Sequence, residues 1–176
     1  MNEPAQKIVE LLDAHGPRLH ALLARATARH DAAEDLLQEL FLRLLCSKAF
    51  ENAPNPEAYL VRSAINIAFD WRKSAAKTNG LMALNADVAG QAGKPIDALI
   101  ETERVQHVLA AMDALSERDR ELLCVRYLDE STYESIAELY ETSAHRFRSR
   151  CAKAVARLRK VLESNSATQL SREGQS

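Results

Sequence analysis

The sequence is short of the residues that break or staple a chain. Five glycines and five prolines in 176 residues, with only 5% aromatics, leave little material for hairpin turns, so an all-α fold is expected. Cys46, Cys124 and Cys151 are odd in number and far apart, which argues against a disulfide framework and for a reducing cytoplasm. All three fall on apolar helical faces and are expected to be buried thiols. No run of about 18 or more apolar residues occurs, so no membrane insertion is expected. Met1 to Glu10 carries Glu3 and Glu10 and lacks the basic-then-apolar pattern of a secretion signal. His15, His20, His30, His107 and His145 show no ligand spacing with one another or with the cysteines, and no glycine-rich phosphate loop is present. The expectation is therefore no metal, no cofactor and no catalytic residues: not an enzyme.

What is present reads as a globular helical chain. Hydrophobic residues make up 47% and charged residues 27%, a composition that can build a core. Apolar Ile8, Leu11, Leu12, Leu19, Leu22 and Leu23 predict a helix over 4–28, with Gly16-Pro17 as a break or kink. Asp31, with Glu34 three residues on, is the expected cap of a helix reaching Cys46. Ser47 to Pro56 reads as loop, and a further helix runs from Pro56 to Lys73 or Lys77. Residues 78–95, with Asn79-Gly80, Gly90, Gly93 and Pro95, read as a flexible linker between two domains, 1–77 and 96–163. Helices follow over 96–115, from a Ser116 cap to about Leu128, over 133–140 behind Ser131 or Thr132, and from Ser143 to about Glu163. The polar tail from Ser164 is expected to be disordered.

The formal net charge is −2, but its distribution is uneven. Residues 144–160 hold Arg146, Arg148, Arg150, Lys153, Arg157, Arg159 and Lys160 and no acid. The rest of the chain then carries 16 basic against 25 acidic residues, or −9. Such asymmetry points to a polyanion or an acidic partner. On a helical wheel Phe147, Cys151, Ala154, Val155 and Leu158 share one face, while Arg146, Arg150, Lys153, Arg157 and Lys160 form a neighbouring stripe. A short helix, a tight turn and a longer basic helix capped by Ser143 make the helix-turn-helix pattern. Arg146 and Arg150 are suited to guanine edges or to phosphates. A solvated basic face with no ligand is the plain alternative.

Residues 112–160, MDALSERDRELLCVRYLDESTYESIAELYETSAHRFRSRCAKAVARLRK, resemble region 4 of bacterial sigma factors, which binds the promoter −35 element. The order of Leu115, Arg120-Glu121, Tyr133-Glu134-Ser135-Ile136-Ala137, Ser143, Arg148-Ser149-Arg150, Ala154 and Leu158-Arg159 carries the match. The resemblance implies −35 contacts from Ser143, Arg146, Arg148, Ser149, Arg150 and Lys153. The chain departs from the family at Ser116, where Pro is usual, near Glu130 and at Glu141, where Gly is usual, and at Arg146, where a smaller residue such as Thr is usual.

The segment DAAEDLLQELFLRLL, Asp31 to Leu45, resembles sigma region 2.2, which docks on the largest RNA polymerase subunit. Asp35, Gln38, Glu39 and Leu42 share one helical stripe and are the implied polymerase contacts; an ordinary acidic helix face would look the same. PEAYLVRSAINIAFDWRK, Pro56 to Lys73, resembles regions 2.3 and 2.4, which melt and read the −10 element. The implied contacts are Arg62, Asn66, Phe69, Asp70, Arg72 and Lys73. Phe69 stands among polar positions, where it would either stack on an unpaired base or pack on the neighbouring domain or first helix. Phe50, Asn52 and Asn55 would, by the same analogy, line a pocket for a flipped base; a plain connector is the other reading.

Together these segments resemble the extracytoplasmic-function (ECF) sigma factors of the sigma-70 family. The resemblance implies two small helical domains, a region 2-like bundle and a region 4-like helix-turn-helix, with no region 3. It implies a cytoplasmic promoter-specificity subunit whose partners are core RNA polymerase, promoter DNA and an anti-sigma factor. A free-standing helix-turn-helix regulator with a helical sensing or dimerisation domain, and a helical protein that sequesters a regulator, are the rival readings.

Overall fold

The computed structural model describes residues 3–79 and 96–173, with side chains over 6–77 and 102–167. Among those residues it consists of helices joined by turns, with no strand. The expected linker, apart from its first two residues, lies outside them. Helix α1 spans Glu3–Thr27, α2 His30–Leu45, α3 Lys48–Glu51 and α4 Pro56–Asn79. Helix α5 spans Ile96–Asp113, α6 Glu117–Leu123, α7 Tyr133–Leu139 and α8 Ala144–Glu173. No described helix is long and apolar enough to cross a membrane.

In the first domain α1 packs on α2 and α4. Its apolar positions, Leu19, Leu22 and Leu23 from α1, Leu36 and Leu40 from α2, and Leu60, Ala64 and Ile67 from α4, are all buried. In the second domain α6 and α7 pack on α8, around Leu122, Leu123, Ile136, Phe147, Cys151 and Ala154. The rings of Tyr133 and Tyr140 both lie 6.3 Å from that of Phe147. Local chemistry sets the helix starts. Ser116, Thr132 and Ser143 each accept a backbone N–H from the third residue on, Asp119, Ser135 and Arg146, which satisfies a donor the helix itself leaves unpaired.

The structure corrects several expectations. Helix α1 passes through Gly16-Pro17 without ending. Burial of Ile8 before the proline and of Leu19 to Leu23 after it offsets the roughly 3 kcal/mol such a residue costs a helix. Asp31 is not a cap: α2 starts one residue earlier, and Asp31 binds the Arg29 guanidinium instead, which holds its carboxyl below the ordinary value. The loop after α2 contains α3, capped by Ser47. Cys46 is exposed, unlike the buried Cys124 and Cys151. Helix α8 continues ten residues past Glu163 to Glu173, over the start of the tail expected to be disordered.

Turns carry their own signatures. Glu141 has φ +48°, while its N–H reaches Glu138 O and that of Thr142 reaches Ala137 O, the paired bonds of a Schellman ending. Between α6 and α7 the backbone widens into a π-helical turn, Cys124–Leu128, where Asp129 N–H donates to Cys124 O at 2.9 Å. That turn delivers Asp129 and Glu130 to α1 of the other domain.

Candidate nucleic-acid interface

The helix-turn-helix face is built by α7, the Glu141 turn and α8. Phe147, Cys151 and Ala154 are buried, and this anchors α8 so that Ser143, Arg146, Arg148, Ser149, Arg150 and Lys153 are all exposed. The cations on this face divide into two kinds. Arg146 and Arg150 have no acidic partner among the described residues. Arg148 stacks on Tyr133, 4.9 Å from the ring centroid, and lies 3.8 Å from Glu134. Arg126 covers Tyr133 at 4.8 Å, so that ring is held between guanidinium groups. Arg157, which the wheel puts on the basic stripe, is instead tied to Asp119 of α6 at 2.7 Å. It braces the domain.

Helix α2 presents Asp35 and Gln38 to solvent, and Leu42 with its side chain 61% exposed. Glu39 is half-buried and bound to Arg43, which also reaches Asp70 at 3.9 Å. An exposed leucine beside acidic and amide groups suits a partner helix with both apolar and basic positions.

On α4 the structure divides the expected residues. Asp70 and Lys73 are exposed and Asn66 is half-buried. Asn66 lines a cavity of about 270 Å³ with Arg43, Leu44, Ser47, Tyr59, Ser63 and Ile67. The Ser47 and Tyr59 hydroxyls share a hydrogen bond at 3.0 Å there. The space is amphipathic and large enough for a planar heterocycle. Phe50, expected in such a pocket, is instead core, 5.8 Å from the Tyr59 ring. Asn55 caps α4 through Ala58 N and donates to Leu139 O at 2.7 Å. Asn52 bonds back to Lys48 O.

Arg62, Phe69 and Arg72, seven and then three residues apart on α4, all meet the second domain. Phe69 is fully buried, in keeping with the packed alternative of the two readings of that position. The Arg120 guanidinium lies 4.8 Å from its ring centroid and that of Arg72 at 6.0 Å. Arg72 is buried as well. Its side chain is 8% exposed, 3.6 Å from Asp113, and it donates to Gln106 Oε1 at 3.1 Å. Burial lowers the Arg72 pKa and raises that of Asp113, the mark of a pair taken out of water. Arg62 is half exposed but held by both oxygens of Glu121, at 3.1 and 3.0 Å. Glu121 also accepts the Tyr140 hydroxyl at 2.8 Å, and burial pushes that phenol upward.

No side-chain cluster among the described residues has the makings of a metal site. The sequence did not mark Arg18, Arg120 or Asp129 as functional. Arg18 grips Asp129, 111 residues away, through three bonds of 2.6 to 3.0 Å. Nothing in helical periodicity signals such a pairing.

Residues 11–78 match the family model for sigma-70 region 2, and residues 111–160 that for sigma-70 region 4. The chain is 24% identical over 159 residues to the ECF RNA polymerase sigma factor SigX of Bacillus subtilis (strain 168), covering 87% of this chain and 82% of that one. It is 27% identical over 146 residues to the ferric citrate uptake sigma factor FecI of Escherichia coli (strain K12), covering 82% and 84%. Among solved structures, the sigma factor RpoE in complex with the anti-sigma factor NepR from Bartonella quintana aligns over 90% of this chain and 95% of that one. The TM-score is 0.43 and the identity 22%.

Proposed function

We propose a function from one premise: the chain belongs to the sigma-70 family, in the group of the extracytoplasmic-function sigma factors. It is a promoter-recognising subunit of RNA polymerase that lends the core enzyme its choice of start site and catalyses nothing itself. Residues 1–77 form the domain that docks on polymerase and engages the −10 strand, and residues 96–163 the domain that grips −35 duplex DNA. The observation that carries the reading is the open basic face of α8, with Arg146 and Arg150 exposed over a buried Phe147, joined in one chain to an acidic α2 stripe with Leu42 uncovered.

In this reading α8 enters the major groove, where Arg146, Arg150 and Lys153 meet base edges and phosphates. Ser143, Arg148 and Ser149 set the approach. Asp35, Gln38, Glu39 and Leu42 receive the polymerase. Asn66, Asp70 and Lys73 form the part of the −10 surface open in the free chain, and Arg62, Phe69 and Arg72 the covered part. The chain works in the cytoplasm beside the polymerase, and an anti-sigma factor that hides these surfaces is an expected partner. The test is capture of core RNA polymerase by the chain, followed by run-off transcription on a genomic promoter library. Specific transcripts that need both proteins support the reading. Specific duplex binding without polymerase would favour a free-standing regulator. Neither DNA nor polymerase binding would leave a sequestering protein.

A further inference from the structure

The start of α7 and the second turn of α8 meet at one ring. Tyr133 opens α7, directly after the Thr132 cap. It is half-buried, 6.3 Å from the core ring of Phe147. Arg126, in the π-helical turn, donates through Nη1 to Ser131 O at 3.2 Å and brings its guanidinium 4.8 Å from the Tyr133 centroid. Its own helix, Phe147 and Arg126 therefore fix the ring. Arg148, on the exposed side of α8, has two contacts: this ring at 4.9 Å and the Glu134 carboxylate at 3.8 Å. The carboxylate is the weaker hold. Both members of that pair are open to water, their side chains 59% and 73% exposed, and an exposed pair at such a distance contributes little. A guanidinium laid over a fixed ring keeps its orientation. An arginine free in solvent surrenders its rotamer freedom on meeting a phosphate; one already laid on a ring has given it up beforehand.

We propose that Tyr133 is a positioning residue for Arg148: its ring holds that guanidinium ready for the phosphate backbone of the −35 duplex and does not itself touch DNA. The proposal rests on the −35 reading of α8 and adds what orients one of its cations. It gives α7, the first helix of the motif, a part in recognition beyond packing, and gives Arg126 the part of fixing the ring.

The experiment measures binding of the holoenzyme, the full chain with core polymerase, to a promoter duplex that it transcribes, at several salt concentrations. Arg148→Ala should weaken binding about fivefold and lower the slope of log affinity against log salt by about 0.9. Tyr133→Met removes the ring but keeps an apolar side chain beside Phe147. It should weaken binding about threefold with the slope unchanged, because the charge still reaches its phosphate. Tyr133→Phe should keep full affinity. In an Arg148→Ala chain, Tyr133→Met should cost nothing further. An equal loss in both backgrounds would mean that Tyr133 only supports the domain, and would overturn the proposal. So would a loss in Tyr133→Phe as large as that in Tyr133→Met, which would assign the hydroxyl a contact of its own. Unchanged affinity and slope for Arg148→Ala would instead strike Arg148 from the −35 contacts, and with it the reading on which the proposal rests.

Discussion

Arg146 and Arg150 give the sharpest quantitative test of the α8 face. Both side chains are exposed and neither has an acidic partner among the described residues. Truncation to Ala should therefore change stability by no more than about 0.5 kcal/mol, leaving any lost affinity attributable to DNA. A bidentate contact from one guanidinium to a guanine edge is worth about 1–3 kcal/mol of discrimination. At 1.36 kcal/mol per tenfold, that is a loss of roughly 5- to 150-fold per arginine. A phosphate contact behaves differently: it weakens binding on all sequences and lowers the slope of log affinity against log salt by about 0.9. The assay is holoenzyme binding to a promoter duplex at several salt concentrations, repeated on a duplex with a scrambled −35 element. A base reader loses the difference between the two duplexes, and a phosphate contact loses slope. Arg157→Ala is the internal contrast. Its ion pair to Asp119 at 2.7 Å should make it cost domain stability rather than salt slope. Unchanged affinity for Arg146→Ala and Arg150→Ala at every salt concentration would refute the reasoning.

Four further outcomes are expected. Leu42→Asp, at an exposed position on α2, should leave the urea midpoint in place yet weaken core polymerase binding at least fivefold, about 1 kcal/mol; equal affinity in a competition assay would remove α2 from the docking surface. Glu141→Gly should raise the stability of the second domain by about 1 kcal/mol in urea denaturation, because φ +48° costs a side-chain-bearing residue but not glycine. A thiol reagent at pH 8 should titrate Cys46 alone in the native chain and all three cysteines in denaturant. Burial pushes Cys124 up to about 12. Its contribution to stability is therefore full below the unfolded thiol value near 9, and is lost as pH climbs from there toward 12. A Cys124→Ala chain should lose that alkaline slope, and an identical pH profile would contradict the assignment.

The parts read correctly from the sequence were those decided within a few residues. Ser116, Ser143 and, of the pair Ser131 or Thr132, Thr132 cap their helices because a hydroxyl three positions before an unpaired N–H needs no distant partner. The apolar face of α8 was legible because Phe147, Cys151 and Ala154 repeat at helical spacing and are buried, so the exposed side of that helix followed. The left-handed turn at Glu141 was marked by a glycine usual in related chains and absent here. Misreadings began where a local rule met a distant force. Pro17 was expected to interrupt α1, but leucines on both sides of it are held by α2 and α4. Phe69 could not be resolved between stacking surface and packed ring, since a helical wheel says which residues share a face and not what lies against it.

The one-dimensional pattern by itself therefore determined most of the helices, the caps of α6, α7 and α8 and the basic surface of the second domain. Only the tertiary structure decided that α4 is covered on a second side. The pairs responsible join Arg62 to Glu121 and Arg72 to Asp113. Charges of opposite sign so far apart in the chain leave no periodic trace. Their attraction acts through space, once the fold has brought them within a few ångströms.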